Sequence, residues 1–276
     1  MKVIDFRVRL RTSQLLKPWN PESPAPHFEQ YIKLYKMEPR LSIIGAEETI
    51  KIMNSAGITE AVVCGTCTED NKHLEQLYRN NKIDNCYLIA GLDLNERIST
   101  NLITLQNLDK KLFFGINITP CICGVPANAK ELYPLYAYCE LNNMVAIIHA
   151  SMHYNRAHSM WLGDPKYIED IAISFPKLKI VISHAGNGFG LLGLAITQKH
   201  PNIYLEFSAL WPKYLPENNI VAINSYLKDK CIFGTDYPLL DFKENFDAWN
   251  NIVKPEVKEL FFYKNAKKCL FGEPNE

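Results

Sequence analysis

Polar side chains that can do acid–base or metal chemistry stand at the ends of several apolar runs. Arg7 and Arg9 end the first run ("VIDFRVRL"), His149 ends "VAIIH", His184 ends "IVISH" and Asp236 follows "IFGT". Two imidazoles and a carboxylate in one pocket can hold a divalent metal, or serve as acid, base and orienting carboxylate without one. We therefore take His149, His184 and Asp236 as the candidate catalytic residues and as the tentative metal ligands.

The arginines cannot serve as metal ligands, because a guanidinium stays protonated and offers no lone pair to a metal. Two arginines at a strand end need an anion nearby, since an unpaired buried charge is costly. Asp5, Asp236 and Glu206 are the candidate internal partners, and a substrate carboxylate or phosphate is the external one. We assign Arg7 and Arg9 to substrate binding, and we add Asn117 ("FFGIN") and Trp211 as further binding candidates.

The elements that must position these residues alternate between strand and helix. Apolar runs rich in β-branched and aromatic residues predict eight strands at 3–8, 61–64, 87–92, 112–118, 144–149, 179–184, 203–207 and 231–233. Helical spacing predicts helices at 46–55, 71–81, 101–108, 131–141, 167–174, 191–198 and 218–227. Eight such repeats predict an α/β fold, a closed (β/α)8 TIM barrel whose active site lies at the carboxyl ends of the strands. We expect residues 1–276 to form a single domain.

The connection between the first two strands is longer than the others. Residues 10–45 contain Pro18, Pro21, Pro24, Pro26 and Pro39, together with several aromatic residues. A long loop of this kind is either a functional cover or a disordered segment, and the aromatic content argues against disorder. The sequence predicts a lid over the barrel mouth, with a merely packed excursion as the alternative.

Charge and hydropathy exclude several partners. Thirty basic and thirty acidic residues give zero formal charge, which argues against a nucleic-acid or membrane-surface partner. The chain contains no apolar run long enough to cross a bilayer and no signal-peptide pattern at its start, so we expect a cytoplasmic protein. A small molecule is the expected partner.

Several motifs together resemble the amidohydrolase-related family, in the branch that includes carboxymuconate-semialdehyde and hydroxybenzoate decarboxylases as well as carbon–carbon and lactone hydrolases. They are "VIDFRVR", "GINITP", "IIHAS", "ISHAGNG", "IFGTDYPLL" and "FYKNAKKCLFG", spread over nearly the whole chain. The resemblance implies a (β/α)8 barrel with one divalent metal held by a His-x-His pair on strand 1, a histidine on strand 5 and an aspartate on strand 8. It also implies an acid–base role for the strand 6 histidine, and a homodimer.

Carried over by position, the resemblance makes His149 a metal ligand, His184 a catalytic histidine and Asp236 a ligand and base. The first strand departs from the pattern, because Arg7-Val8-Arg9 stands where His-x-His is expected. Three interpretations stay open. The arginines replace the charge of the metal, or His149, His184 and Asp236 still hold one zinc-like ion, or the site is lost and the barrel is a binding or scaffold protein.

The metal-free interpretation is preferred, with at most one divalent metal as the alternative. The expected function is that of a hydrolase, which acts on an ester, lactone, amide or C–C bond of a small anionic substrate with His184 and Asp236 as acid and base. The alternative is a metal-dependent decarboxylase, and therefore a lyase, that acts on an aromatic or keto acid.

Overall fold

Eight parallel strands form the centre of the fold in a computed structural model that describes residues 1–20 and 26–272. Each strand pairs with the next one along the chain, so the order in the sheet is the order in the sequence. The strands are β1 (Ile4–Val8), β2 (Glu60–Cys64), β3 (Cys86–Gly91), β4 (Phe113–Ile118), β5 (Val145–Ile148), β6 (Ile180–Ile182), β7 (Ile203–Glu206) and β8 (Cys231–Ile232). All eight predicted strands are confirmed.

Hydrogen bonds between β1 and the segment at and after β8 complete the ring. Phe6 N donates to Phe233 O at 3.0 Å, and Arg9 N donates to Tyr237 O at 2.8 Å. Asp236 N donates to the carbonyl of Arg7 at 2.9 Å. The predicted (β/α)8 barrel is therefore confirmed, and its first and last strands meet where Arg7 and Asp236 lie.

Helices lie around the barrel and at its two ends. They are α1 (Pro26–Tyr35), α2 (Ala46–Ser55), α3 (Thr68–Arg79), α4 (Ile98–Asn107), α5 (Pro120–Cys123), α6 (Tyr133–Leu141), α7 (Lys166–Ser174), α8 (Leu192–Lys199), α9 (Glu217–Ile223), α10 (Phe242–Ile252) and α11 (Asn265–Phe271). The seven predicted helices correspond to α2, α3, α4 and α6 to α9, and α2 has the predicted bounds. Asp241 caps α10 by accepting hydrogen bonds from the backbone N–H groups of Lys243 and Glu244.

Two apolar layers hold these elements together. The larger lies between the strands and the helices, and the smaller fills the inside of the barrel. Ala266, Cys269 and Leu270 of α11 belong to the inner layer, so this helix packs against the barrel interior. Because the interior of the barrel is apolar, the polar side chains that could take part in a reaction lie at the ends of the strands.

An irregularity in β1 directs both arginines toward the barrel mouth. The register with β2 shifts between Asp5 and Val8, so that three steps along β1 match two along β2. Phe6 packs in the inner layer and Val8 in the outer one, while both Arg7 and Arg9 line a cavity at the barrel mouth. In a regular strand the side chains alternate between the two faces, and Arg7 would then point outward because Phe6 points inward. The bulge is therefore the reason that the guanidinium of Arg7 lies at the barrel mouth.

The long first connection is more ordered than a plain loop. It contains α1 and two single turns of 3-10 helix at Lys17–Trp19 and Glu38–Arg40, while residues 21–25, with Pro21 and Pro24, lie outside the described part. Arg40 anchors it, because Nε and Nη2 donate to the carbonyls of Pro238 and Leu239 at 2.8 and 2.9 Å. Among the described helices, none has the length and apolar character needed to cross a membrane.

Candidate functional site

A cavity of about 110 Å³ lies at the carboxyl ends of the strands, and we call it the central cavity. Five of the seven predicted site residues line it: Arg7, Arg9, Asn117, His184 and Asp236. The first connection supplies an aromatic side of the cavity, made of Trp19, Phe28, Tyr31 and Tyr35. Tyr31 also packs edge-on against Tyr154 from the loop after β5, with ring centroids 4.7 Å apart.

Arg7 is buried and held by partners from two other strand ends. Its Nε forms an ion pair with Glu206 Oε2 at 3.4 Å, and its Nη2 donates to Ser183 Oγ at 2.5 Å. Glu206 is fully buried, and its Oε1 accepts a hydrogen bond from Ser208 N. Of the three anions expected for the arginines, Glu206 is the one that pairs directly with Arg7. The guanidinium is therefore a fixed positive charge.

Arg9 lies two residues further along and has weaker contacts. Its Nη1 donates to the backbone carbonyl of Leu15 at 3.1 Å. Within the described part of the chain, Arg9 forms no ion pair, although its charge acts on Asp236. Most of its donor groups are therefore available to an anion in the central cavity.

Asp5 connects β1 to β8 beneath the site. Its Oδ1 accepts from the backbone N–H groups of Arg7 and Thr235 at 3.1 and 2.9 Å, and its Oδ2 accepts from Thr235 Oγ1 at 2.5 Å. Burial raises the pKa of Asp5 to about 7, although these hydrogen bonds act in the opposite direction. These hydrogen bonds hold the backbone in place at Arg7 and at Thr235, the residue before Asp236.

His184 is placed by an unusual backbone conformation. His184 and Ala185 have φ values of 55° and 52°, in the left-handed region, directly after β6. Nδ1 of His184 lies 3.0 Å from the carbonyl of Ser208, which can only accept, so Nδ1 carries the proton. Burial and the nearby Arg7 lower the pKa of His184 to about 3. The ring is therefore neutral at physiological pH, and Nε2 carries a lone pair.

His149 lies next to His184 but is not one of the residues that line the central cavity. The two ring centroids are 4.7 Å apart, and the centroid of His153 lies 5.0 Å from that of His149. Burial, followed by the neighbouring histidines, lowers the pKa of His149 well below its usual value. Its neutral ring packs against His184 and so helps to fix the position of that ring.

Asp236 follows β8 and also has a left-handed backbone, with φ of 60°. Burial and the negative charge of Glu206 raise the pKa of its carboxyl group to about 7, against the effect of Arg7 and Arg9. A group with this pKa is divided between acid and base forms near neutral pH, which suits proton transfer. The central cavity is thus lined by a group that can donate a proton, Asp236, and by a group that can accept a hydrogen bond, His184.

Asn117 and Trp211 have different positions relative to the predicted site. Asn117 Nδ2 donates to Gly65 O at 3.2 Å, while its buried Oδ1 has no hydrogen-bond partner among the described residues. Trp211 lines a neighbouring cavity of about 700 Å³, and Lys213 lies over its ring at 5.7 Å. The structure therefore brings Asn117, but not Trp211, to the central cavity.

Ser183 and Ser208 act in the site and were not predicted from the sequence. Ser183 accepts a hydrogen bond from Arg7, and the Ser208 carbonyl sets the tautomer of His184. The available signal was their position, because each serine lies next to or two residues after a polar residue at the end of a predicted strand. Polar neighbours of strand-end residues are therefore worth examining in barrels.

The side chains at the mouth do not fit a bound metal ion. The resemblance implies histidine ligands at the end of β1, but the guanidinium of Arg7 is there, in contact with Ser183 and Glu206. Among residues 1–20 and 26–272, no group of three His, Cys, Asp or Glu side chains is arranged to hold a metal. A cation would also be repelled by Arg7 and Arg9.

The fold and the position of the site define a (β/α)8 barrel with a polar site at the strand ends. Residues 60–272 match the model of a family described as amidohydrolase. Since this match covers most of the chain, the protein belongs to the amidohydrolase family. Among curated proteins, the chain has no significant match.

Several solved structures are similar in fold. An uncharacterized TIM-barrel protein from Bordetella bronchiseptica is 22% identical with a TM-score of 0.84, and 98% of each chain is covered. A 5-carboxyvanillate decarboxylase from Sphingomonas paucimobilis is 13% identical with a TM-score of 0.71 and the same coverage. A dihydroxybenzoic acid decarboxylase from a Polaromonas species, with bound manganese and 2-nitroresorcinol, is 14% identical with a TM-score of 0.71, covering 98% of this chain and 96% of the other. At these identities the likeness shows the shared fold.

Proposed function

We propose that this protein is a lyase that decarboxylates a small hydroxylated aromatic acid, with Asp236 as the proton donor. The observation that carries the proposal is that one cavity is lined by two arginines, a carboxylic acid and a neutral histidine. The structural likeness to aromatic-acid decarboxylases supports this alternative over the hydrolase interpretation. The positive charge is supplied by Arg7 and Arg9.

Each group has a separate part in the proposed reaction. Arg9 binds the anionic substrate through its available donors, and His184 Nε2 accepts a hydrogen bond from the phenolic hydroxyl group, which increases the electron density of the ring. The acid form of Asp236 transfers its proton to the ring carbon that bears the carboxylate. The bond from this carbon to the carboxylate then breaks, its electron pair restores the aromatic ring, and CO2 leaves.

The arginines also favour the proton transfer itself. When Asp236 gives up its proton, a carboxylate forms close to Arg7 and Arg9, whose charges stabilise it. Solvent protons then restore the acid form. Glu206 keeps Arg7 in place during this cycle and takes no part in the proton transfer.

The first test is the substitution Asp236→Asn, assayed with 2,6-dihydroxybenzoate and related hydroxybenzoates. Loss of the acid should lower kcat by about 10²- to 10⁴-fold, while the affinity for the acid is retained. In D2O the wild type should place one deuterium on the carbon that loses CO2. The rate should fall as pH rises through about 7, because the acid form of Asp236 disappears.

A matched control is Asp229→Asn, which changes an exposed aspartate far from the cavity and should leave kcat unchanged. Activity should also survive dialysis against EDTA, with elemental analysis of the active protein showing no stoichiometric metal. Turnover by Asp236→Asn at the wild-type rate would contradict the assignment of the proton donor. Activity that is lost on chelation and restored by zinc or manganese would contradict the role given to the arginines.

Hydrolysis is the second candidate, and the fixed tautomer of His184 is the observation that favours it. The Nε2 lone pair could activate a water molecule beside the arginines, which would polarise the carbonyl of an ester or lactone. The two reactions are distinguished by their products. Hydrolysis in H2¹⁸O adds ¹⁸O to the acid product, whereas decarboxylation releases CO2.

A further inference from the structure

A second cavity of about 270 Å³ adjoins the central cavity, and we call it the side cavity. Both cavities are lined by Arg9, Phe28, Thr66, Asn117, Thr119 and Ile122. The central cavity alone is small for a ligand site, whereas the two together reach the lower part of the range of roughly 300–1,000 Å³ found for such sites. The shared wall indicates that one ligand can occupy both.

The shared wall contains a polar atom that needs a partner. Asn117 is 7% exposed, and its buried Oδ1 has no hydrogen-bond partner within the described residues. Its amide nitrogen is already used, because Nδ2 donates to Gly65 O. An oxygen in this position can only accept, so a hydroxyl or N–H group of a ligand at the junction would satisfy it.

The rest of the side cavity is apolar inside and acidic at its rim. Leu92, Leu94 and Ile122 line it, and Ile122 is 40% exposed despite its apolar side chain. Asp93 lies in the same loop and is exposed. Apolar walls favour an apolar group, and the negative charge at the rim disfavours a second acidic group.

We infer that the side cavity is a specificity subsite for a neutral, apolar substituent of the substrate, joined to the acid-bearing ring through a hydrogen-bond donor that faces Asn117. This inference rests on the proposed function and extends it from a simple hydroxybenzoate to a substituted one. Arg9 lies at the boundary and holds the anionic group, so that the substituent extends along Leu92 and Leu94.

The test uses 2-hydroxybenzoates that carry an alkylamino or an alkoxy chain of one to four carbons. Positions 4 and 5 of the ring are compared, and the better one is used. Each added methylene should tighten the dissociation constant about fourfold, which corresponds to about 0.8 kcal/mol per buried CH2. The butylamino compound should bind about tenfold more tightly than the butoxy compound, which lacks the donor. Calorimetric titration measures both.

Three variants separate the parts of the subsite. Leu94→Trp fills the side cavity and should abolish the gain with chain length. Asn117→Leu removes the acceptor and should abolish the difference between the alkylamino and alkoxy compounds. Leu191→Trp, which changes a leucine that is 46% exposed and lines neither cavity, should preserve both effects.

The outcomes distinguish the subsite from the proposed function. Binding of unsubstituted 2-hydroxybenzoate without any gain from the chains would overturn the subsite alone. A gain with chain length that persists in Leu94→Trp would also overturn it, because the chain would then lie elsewhere. Failure of every compound to bind to the wild type would overturn the proposed function and the subsite together.

Discussion

Arg7 in β1 and Arg9 directly after it have different surroundings. Arg7 is buried and contacts Glu206 and Ser183, whereas Arg9 is half-buried and contacts the carbonyl of Leu15. Both line the central cavity. Arg7 is therefore held by the protein, and Arg9 is available to the ligand. The difference teaches that equal charges two residues apart can serve architecture and recognition separately.

The largest expected effect concerns the surroundings of Arg7. Glu206→Gln removes the carboxylate from a buried ion pair and leaves the guanidinium with only the more distant Asp236 as a counter-charge. This should lower the free energy of unfolding by roughly 3–5 kcal/mol. Urea denaturation followed by circular dichroism measures the loss.

The matched control is Glu29→Gln, which makes the same change in the exposed Glu29–Lys33 pair of α1. An exposed pair contributes on the order of 0–1 kcal/mol, so this variant should be nearly as stable as the wild type. Replacing Arg7 and Glu206 together by methionine should recover most of the lost stability, because no buried charge is left alone. Equal losses in the two glutamine variants would contradict the role of Glu206 as the partner of Arg7.

A smaller effect is expected for Arg9. Arg9→Met should change the unfolding free energy by less than about 1 kcal/mol, because Arg9 is half-buried and forms no ion pair within the described residues. It should weaken the binding of 2-hydroxybenzoate about 10- to 100-fold, since a hydrogen bond to a charged group contributes about 1.5–3 kcal/mol. Calorimetry and denaturation on the same preparation measure both values.

Arg156→Met is the control for Arg9, because Arg156 is exposed, hydrogen-bonds Gln30 and does not line the central cavity. Its affinity for 2-hydroxybenzoate should equal that of the wild type. If Arg9→Met proved strongly destabilising and left affinity intact, the contrast between the two arginines would be wrong.

The third effect is a dependence on pH that arises next to Arg7. His184 has its pKa lowered to about 3 in the folded state, so between about pH 3 and 6.5 the unfolded chain binds a proton that the folded chain does not. The stability that neutral His184 provides is present above pH 6.5 and is lost as pH falls. Relative to His184→Gln, the wild type should lose about 1.4 kcal/mol per pH unit between pH 6 and 4.

Asp5→Asn should give the opposite slope. The pKa of Asp5 is raised to about 7 in the fold, so the folded chain keeps a proton that the unfolded chain releases above about pH 4. Relative to this variant, the wild type should therefore lose stability as pH rises from 4 to 7. Denaturation curves at half-unit pH steps measure both slopes, and parallel slopes for the two variants would refute the assignment.

The regular part of the fold was predictable because it depends on periodic burial. Strands such as β5 and β6 are covered on both sides, so they are continuous apolar runs, and α2 has one apolar stripe. The end of β6 was predicted wrongly. The apolar pattern extended the strand to His184, whereas β6 ends at Ile182. The reason is the left-handed backbone of His184 and Ala185, which is uncommon for any residue other than glycine.

Helix α1 was missed although a signal was present. Phe28, Tyr31, Ile32 and Tyr35 repeat at intervals of three and four residues, which is typical of a helix with one apolar face. The prolines around this stretch were interpreted as a loop, whereas Pro26 is the first residue of the helix, where a missing N–H has no effect.

The site was predictable in its residue types and less so in its contacts. Arg7, Arg9, His184 and Asp236 meet because the barrel gathers strand ends, which the strand pattern alone predicts. The bulge in β1 and the Arg7–Ser183 hydrogen bond depend on the register between strands and on side-chain packing. Neither property is local in the sequence.

The left-handed backbone at His184 and Asp236 affects which substitutions evolution favours at these two positions. Residues other than glycine are strained in the left-handed conformation, which costs about 1–3 kcal/mol for each residue. Glycine at either position would relieve that strain and would also remove the proton donor or the hydrogen-bond acceptor of the proposed reaction. Selection for stability of the fold alone would therefore favour glycine at these two positions, whereas selection for turnover in the proposed reaction would favour histidine and aspartate.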